Sequence, residues 1–285
     1  MIYELENGRM KIKADENGAE LHSLNYEGRE YLWQCGKAWE RYAPILFPFI
    51  CSPKDRSYEA DGKIYKMKGN HGFARDSVFA FKEKTENSLS FVLTENEETL
   101  AQYPYKFELT VTYALEDNAV TVINSVKNTD DRDIYFYIGG HPAFNAPLLE
   151  GESFDDYYVE YAEQEKITQD VDGREVTVLD HEKKLDITRA LFDNDALILA
   201  NPNSRAVSLK CKKSSHSVTV EFPMSECIAV WSPTGDDTAA FVCLEPWTSV
   251  PTYYDDDFVK LENKPHAIQL HPGEVYDYRY RIVLE

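Results

Sequence analysis

The chain has 285 residues, 43% of them hydrophobic, and its 50 acidic and 30 basic side chains give a formal net charge of −20. A field of this sign repels phosphate backbones and anionic lipid surfaces, so we expect neither nucleic acid nor a membrane as a partner. The 19 Tyr and 14 Phe beside 13 Gly and 13 Pro are typical of strands joined by many turns.

The N-terminal segment MIYELENGRMKIK predicts the first pair of strands. It lacks the apolar stretch of a signal peptide, and no apolar run in the chain approaches the roughly 18 residues of a membrane span. The five cysteines form no CxxC pair, which favours free buried thiols in a reducing compartment. These features predict a soluble, cytoplasmic protein.

Two-residue periodicity predicts most of the later elements. Apolar and polar residues alternate over 107–115 and again over 120–126, which predicts a hairpin, and 207–211 with 218–222 predicts a second one. A final strand is predicted over 276–284. Helices are expected only in short segments, namely EETLAQYP, ended by Pro104, and DITRALFDNDAL, capped by Asp186.

Strand patterns recur from residue 2 to residue 284 without a long linker, a shift in composition or a repeat of 20 to 50 residues. We therefore predict one domain over residues 1–285. Because no helices alternate with the strands, the expected fold is all-β, with large antiparallel sheets stacked as a sandwich.

Candidate functional side chains concentrate in four segments where the alternation breaks. These are FPFICSPKDRSY with Arg56, GNHGFARDS with His71 and Arg75, YIGGHPAFN with His141, and FVCLEPWTSVP with Glu245 and Trp247. In the last two, an apolar run ends on a titratable residue followed by proline. This pattern predicts a side chain at a strand end that faces a cleft.

Taken singly, most of these residues also have a purely structural interpretation. A histidine in a turn is more often hydrogen-bonded than catalytic, and an arginine usually pairs with a nearby acid. Trp247 suits either core filling or stacking on the C–H face of a sugar. Glu245 differs because its apolar neighbours disfavour its charge, so it should have a partner or a raised pKa, and either suits a base.

Metal and cofactor motifs are absent from the sequence. The run at 255–257, expected to be a solvated turn, and DVDGRE at 170–175 lack the spacing of a calcium loop, and there is no GxGxxG, P-loop or GxSxG. We therefore predict no metal and no cofactor. A histidine acid and a glutamate base alone suit proton transfer at two oxygens of one substrate, and the anomeric centre of a sugar presents such a pair.

In this order, FPFI with a following arginine, NHGFAR, GGHPAFN and CLEPW resemble the motifs of the aldose 1-epimerases, or galactose mutarotases. The resemblance is strongest to the LacX-like branch and its hexose-6-phosphate mutarotase relatives. It spans nearly the whole chain, from LHSLNYEGREYLW to LHPGEVYDYRYRI. It implies a large antiparallel β-supersandwich with a sugar site in a concave sheet face.

The resemblance also implies roles for the residues in these motifs. His141 corresponds to the general acid and Glu245 to the general base. His71 corresponds to a ligand of sugar hydroxyls, and Arg56 and Arg75 to substrate-binding arginines.

An acidic residue of LFDNDAL should hold further hydroxyls of the sugar. Asp193 and Asp195 are both available, and we favour Asp195. The tyrosine of the family's HPYF motif is replaced by Ala143, which predicts a roomier or differently shaped pocket and puts galactose specificity in doubt.

The predicted function is therefore an aldose 1-epimerase acting on a small-molecule sugar, as a monomer or homodimer. One alternative is a hexose-6-phosphate mutarotase, in which Arg56 and Arg75, with Lys54 nearby, would hold the phosphate. The other is a non-catalytic carbohydrate-binding or sugar-sensing protein, which would bind a sugar without converting it.

Overall fold

A computed structural model of the chain describes residues 1–235, 238–255, 257 and 259–285. Its strands are, in chain order, β1 (Ile2–Glu6), β2 (Met10–Asp15), β3 (Leu21–Tyr26), β4 (Arg29–Glu30), β5 (Ile45–Leu46), β6 (Ser57–Ala60), β7 (Lys63–Lys66), β8 (Ala80–Lys84), β9 (Ser88–Thr94), β10 (Phe107–Glu116), β11 (Ala119–Asn128), β12 (Ile134–Phe136), β13 (Gly139–Gly140), β14 (Ala143–Asn145), β15 (Tyr157–Val171), β16 (Arg174–Asp186), β17 (Leu197–Ala200), β18 (Ala206–Cys211), β19 (Ser217–Glu221), β20 (Cys227–Trp231), β21 (Phe241–Trp247), β22 (Ile268–Leu270) and β23 (Val275–Leu284).

These strands form two large antiparallel sheets and three smaller ones. The nine-stranded sheet has the order β16-β15-β18-β19-β23-β11-β10-β9-β8. The six-stranded sheet has the order β17-β20-β21-β13-β5, with β14 also paired to β21. The order β1-β2-β3-β4 forms a separate sheet, while β6-β7 and β12-β22 are two-stranded.

The two large sheets pack face to face across the main hydrophobic core. On β23, the Tyr278 hydroxyl donates to the backbone oxygen of Pro246 on β21 at 2.7 Å. The Tyr280 ring lies so close to β13 that a Cβ on Gly140 would be 2.6 Å from its hydroxyl oxygen. One cluster of buried side chains includes residues from Leu5 to Leu284. The prediction of a large antiparallel sandwich with few helices is therefore confirmed.

The strands predicted from alternation are present where expected. β10 and β11 pair from Phe107 opposite Asn128 to Glu116 opposite Ala119, and the odd-numbered residues of β10 are buried. β18 and β19 form the second predicted hairpin, β1 and β2 form the N-terminal pair, and β23 is the final strand. In these elements a period of two identifies the buried face because one side of each strand packs on the core.

Helical structure is confined to short segments, and two details of its prediction are wrong. Helix α1 (Glu97–Leu100) is capped by Asn96 and ends well before Pro104. The second predicted helix is only a 3-10 turn at Arg189–Phe192, preceded by Thr188. Asp186 does not cap it, because this residue ends β16 and pairs with Lys212 at 3.0 Å. The other 3-10 turns are Lys54–Arg56, Ala74–Asp76, Phe154–Asp156, Thr252–Asp255 and Leu261–Asn263.

Helices in the described ranges reach at most four residues, so none of them could cross a membrane. The five cysteines are free thiols: Cys35 and Cys51 are partly exposed, and the other three are buried. The turn predicted over 255–257 includes Asp256, which lies outside the described residues.

Candidate active site

Strand β21 separates the main core from the candidate site. All seven of its residues are buried, but they point alternately to two different environments. Val242 and Leu244 join the main core, whereas Phe241 and Cys243 join a second small cluster on the other face. Glu245 is on the same face as Cys243 because side chains alternate along a strand. The carboxyl group therefore lies away from the main core, on the wall of a cleft.

His141 meets Glu245 at the floor of this cleft. Its backbone follows β13, and its N–H donates to Pro44 O at 3.1 Å. The Nε2 atom of His141 lies 3.1 Å from Oε2 of Glu245, and only 7% and 2% of the two residues are exposed. The two motifs that ended on a titratable residue before a proline therefore bring those residues into direct contact.

Burial acts on both members of this pair in the direction of neutrality. It raises the pKa of Glu245 well above the ordinary value, with Asp195 adding to the effect. It lowers the pKa of His141 to about 3. With Glu245 protonated and His141 neutral, one proton lies between the two groups along their 3.1 Å contact. Transfer of this proton to Nε2 gives an imidazolium beside a carboxylate.

His71 lies beside this pair with its tautomer fixed. Its ring is 5.5 Å from that of His141, and its Nδ1 accepts the backbone N–H of Cys51 at 3.0 Å. Burial lowers the pKa of His71 well below the usual range, so the ring is neutral and its proton is on Nε2. His71 lines the cleft, where this N–H is a fixed donor for a ligand oxygen.

Arg75 lines the same cleft from the 3-10 turn at Ala74–Asp76. Its side chain is 15% exposed, and its nearest acid is Asp76, with Nε 3.8 Å from Oδ2. That Nε is buried and has no hydrogen-bond partner among the described residues. Burial also lowers the pKa of Arg75 to about 10. The group is therefore a cation with unused donor capacity at the edge of the cleft.

Gly72 explains how His71 and Arg75 come to face one cleft. It has a φ of +73°, and a Cβ at this position would lie 2.0 Å from the backbone oxygen of Phe47. The backbone N–H groups of Phe73 and Ala74 both donate to that same oxygen, at 3.0 and 3.1 Å. The turn is thus pinned to the segment before it, and no residue with a side chain fits here.

Asp195 and Trp247, two further residues predicted to bind the sugar, line this cleft but differ in exposure. Asp195 is exposed, has a φ of +73°, and lines the cleft, whereas Asp193 is not among the lining residues. Trp247 also lines the cleft but is only 2% exposed, and its Nε1 has no hydrogen-bond partner in the described structure. Trp247 therefore forms part of the wall and of the core, and its stacking on a sugar stays a prediction.

Arg56 is the one predicted site residue that the structure places elsewhere. It lies in the turn Lys54–Arg56 and donates to the backbone oxygen of Lys68 at 2.9 Å. It lines a separate surface depression with Asp55 and Lys66 and is not among the residues that line the cleft. The motif FPFI is followed by an arginine as expected, but Arg56 and Glu245 line different depressions of the surface.

Aromatic residues that the motifs did not indicate complete the cleft. Trp39 stacks on His141 with ring centroids 5.0 Å apart, and Trp231 meets the same ring edge-on at 5.8 Å. The other lining residues without a predicted role are Cys51, Asn70, Ala196, Ile198 and Tyr253. Asn70 stands within the segment GNHGFARDS, whereas nothing around the two tryptophans marks them in the sequence.

Ala143, which was expected to give a roomier or differently shaped pocket, packs beside the cleft. It is fully buried in the cluster with Phe241 and Cys243, against which Trp39 packs. Ala143 is not a lining residue, and the indole of Trp39 covers His141 from that side. The effect of the short side chain on the room or shape of the pocket stays a prediction.

The resulting cleft has a volume of about 250 Å³, slightly below the usual range for drug-sized ligands, which suits a smaller molecule such as a monosaccharide. It offers aromatic surfaces, one fixed imidazole donor, one cation, one rim carboxylate and a contacting acid–base pair. This set can hold a polyhydroxylated ring and move protons on it without a further group.

The chain is similar to known proteins over its whole length. The aldose 1-epimerase family model matches residues 1–283. The plasmid-encoded protein LacX of Lactococcus lactis is 33% identical over 305 aligned positions, which cover 100% of this chain and 99% of LacX.

Two solved structures are similar over the whole chain. A galactose mutarotase related enzyme from Lactobacillus acidophilus is 32% identical, with a TM-score of 0.90 over 100% of this chain and 97% of that one. A galactose mutarotase-like protein from Lactobacillus casei is 30% identical, with a TM-score of 0.88 and 100% coverage of both chains. The sequence match and the shared fold lead to one conclusion: this chain belongs to the aldose 1-epimerase family.

Proposed function

We propose that this protein is a cofactor-independent aldose 1-epimerase that interconverts the α and β anomers of a sugar. The observation that carries the proposal is the 3.1 Å contact between His141 and Glu245 at the floor of a ligand-sized cleft. The two oxygens of a cyclic hemiacetal share one carbon atom. An acid and a base that serve them must therefore also lie side by side, as these two groups do.

In the proposed reaction, Glu245 removes the proton of the C1 hydroxyl while His141 gives the shared proton to the ring oxygen. The C1–ring oxygen bond breaks, and the sugar opens to the free aldehyde. Rotation about C1–C2 presents the other face of the carbonyl. The ring then closes with the two roles reversed, so each group ends the cycle in its starting protonation state.

The remaining side chains would hold the sugar during this rotation. The Nε2–H of His71 donates to a ring hydroxyl, Asp195 accepts from hydroxyls at the rim, and Arg75 donates at the far end. Trp39 and Trp231 exclude water beside His141. Holding the open-chain form close to the pair supports reclosure because the reacting atoms stay in contact distance.

The alternative of a phosphorylated substrate loses part of its support. It relied on Arg56 and Arg75 as a two-arginine clamp, and only Arg75 lines the cleft. A phosphate would still find the buried, unused donor of Arg75. A KM for glucose 6-phosphate that rises steeply with salt, with no such rise for glucose, would favour that substrate over the free sugar.

The proposal is tested by polarimetry on freshly dissolved α-D-glucose and α-D-galactose with wild type, Glu245→Gln and His141→Asn. Wild type should accelerate the change in rotation, and both variants should lose most of that acceleration. A wild type that accelerates no aldose, free or phosphorylated, would leave the non-catalytic sugar-binding protein as the better reading. Full activity in Glu245→Gln would refute the assignment of the base.

A further inference from the structure

The acid–base pair has a third neighbour that the proposed reaction does not use. Cys243 lies two residues before Glu245 on β21, with its side chain on the same face. The ligand atoms of His141, Cys243 and Glu245 all lie within 4.8 Å of one another. All three residues are buried, and two of them open onto the cleft.

We propose that His141, Cys243 and Glu245 form a binding site for zinc or a similar divalent transition metal ion, and that occupation of this site inhibits the enzyme reversibly. The set comprises one imidazole, one thiol and one carboxyl, which are the three ligand types that zinc takes in proteins. Three protein ligands with an accessible fourth position is the arrangement of an open zinc site.

The distances suit such an ion after a small adjustment. Zinc bonds of about 2.0–2.3 Å in a tetrahedron place ligand atoms roughly 3–4 Å apart. His141 Nε2 and Glu245 Oε2 are already 3.1 Å apart, and the sulfur lies within 4.8 Å of the other two ligand atoms. A movement of about 1 Å by one side chain brings all three ligand atoms within bonding distance of one ion. The fourth coordination position then faces the cleft and is open to water.

The charge around the site is mixed. Asp195 adds negative potential at Glu245, whereas Arg75 lines the same cleft and opposes a cation. The His141 Nδ1 atom is buried without a hydrogen-bond partner among the described residues, so no second group orients the ring through this nitrogen. Binding of the ion would release the protons of the thiol and carboxyl, since both ligate as anions.

Inhibition follows from the identity of the ligands. A metal ion on Glu245 and His141 occupies the atoms that must accept and donate protons at the sugar. This consequence rests on the proposed function, whereas metal binding itself does not. The sequence gives no hint of the site, because its ligands are 102 and 2 residues apart along the chain and match no metal-binding spacing.

The direct test is a titration of the purified wild type with Co²⁺ in a buffer that does not chelate metals. One equivalent should produce an ultraviolet thiolate-to-cobalt charge-transfer band together with visible tetrahedral bands, and Zn²⁺ should displace them. Cys243→Ala should lose the ultraviolet band. The matched control is Cys211→Ala, which removes another buried cysteine from β18 in the other sheet and should keep it.

Inhibition is then measured as anomer exchange against Zn²⁺ concentration, with each variant compared with its own metal-free rate. Loss of the thiol ligand should raise the half-inhibiting concentration about tenfold or more, whereas Cys211→Ala should match wild type. Absence of a cobalt–thiolate band in wild type overturns the site, and so does equal zinc inhibition of Cys243→Ala. A band in a wild type that exchanges no anomers supports the metal site and contradicts the proposed function instead.

Discussion

The nine-stranded sheet and the cleft face of the six-stranded sheet each bury a glutamate, but in opposite ways. On β15, Glu165 accepts the backbone N–H of Ser204 at 2.7 Å and is 2% exposed. On β21, the equally buried Glu245 faces His141 instead, and burial raises its pKa. The side chain of Glu165 is hydrogen-bonded within the fold. The side chain of Glu245 instead has a high affinity for a proton, which it can exchange with a substrate.

The same contrast extends to the backbone. The hairpin β15–β16 turns at Gly173, where a Cβ would meet nothing within 4 Å. The turn at Gly72 is pressed against Phe47 so closely that no side chain fits. The turn at Gly173 therefore has room for a side chain, whereas the cleft combines a tight turn with the unpartnered polar atoms of Arg75, His141 and Trp247.

The largest effect is expected from exchanging the two buried glutamates for glutamine, one at a time. Glu245→Gln removes the base and should lower kcat by a factor of about 10²–10⁴, the usual contribution of general acid–base catalysis. Glu165→Gln should keep kcat near the wild-type value and lose only stability. Anomer exchange measured at saturating sugar decides this, and similar kcat losses in both variants would remove the distinction between the two regions.

The next effect concerns the two glycine turns. Gly72→Ala should lower the free energy of unfolding by about 3 kcal/mol or more, because its Cβ would overlap the Phe47 carbonyl. Gly173→Ala has open space and should lose about 1 kcal/mol from its positive φ alone. Urea unfolding of both variants provides the measurement. Equal losses of unfolding free energy in the two variants would show that the close contact between Gly72 and Phe47 does not add to the effect of the substitution.

A smaller effect separates the two arginines. Arg75→Ala should raise KM by a factor of about 10–100, since a hydrogen bond to a charged group contributes about 1.5–3 kcal/mol. Arg56→Ala, which alters a residue outside the cleft, should leave KM within about twofold of wild type. Initial rates over a range of sugar concentrations test both variants. A larger rise in KM for Arg56→Ala would show that Arg56 contributes to substrate binding.

The smallest effect is a shift of the pH profile. Because burial lowers the pKa of His141 to about 3, the pair gains a second proton only well below the ordinary histidine range. The value of kcat/KM should therefore stay level as the pH falls from about 7 to 5, and decline on the alkaline side when the raised pKa of Glu245 is passed. A decline centred near the ordinary histidine pKa of about 6.5 would show that the imidazole is solvated.

Sequence patterns predicted the fold well where each strand has one buried and one exposed face. The pairing of β10 with β11 is an example, since its period of two follows from burial on one side only. Strand β21 shows the limit, because both of its faces are buried and alternation disappears from its composition. The helix predicted to be capped by Asp186 does not begin there, because this residue pairs with the neighbouring strand in the sheet instead.

Prediction of the site depended on motifs rather than on periodicity. His71, Arg75, His141 and Glu245 each stand in a motif that breaks the strand pattern, and the structure brings them to one cleft. Arg56 also stands in a motif, but the direction of a side chain in a tight turn depends on local backbone angles, such as its φ of +56°. Trp39 and Trp231 were missed because only the tertiary fold brings them to His141.

A double-mutant cycle tests whether His141 and Glu245 act as one unit on a sugar. Anomer exchange of α- and β-D-glucose at equilibrium would be measured by NMR with wild type, His141→Asn, Glu245→Gln and the double variant. If the pair works as a unit, the double variant is about as slow as the slower single variant. Losses that multiply in the double variant would show instead that the two groups act independently.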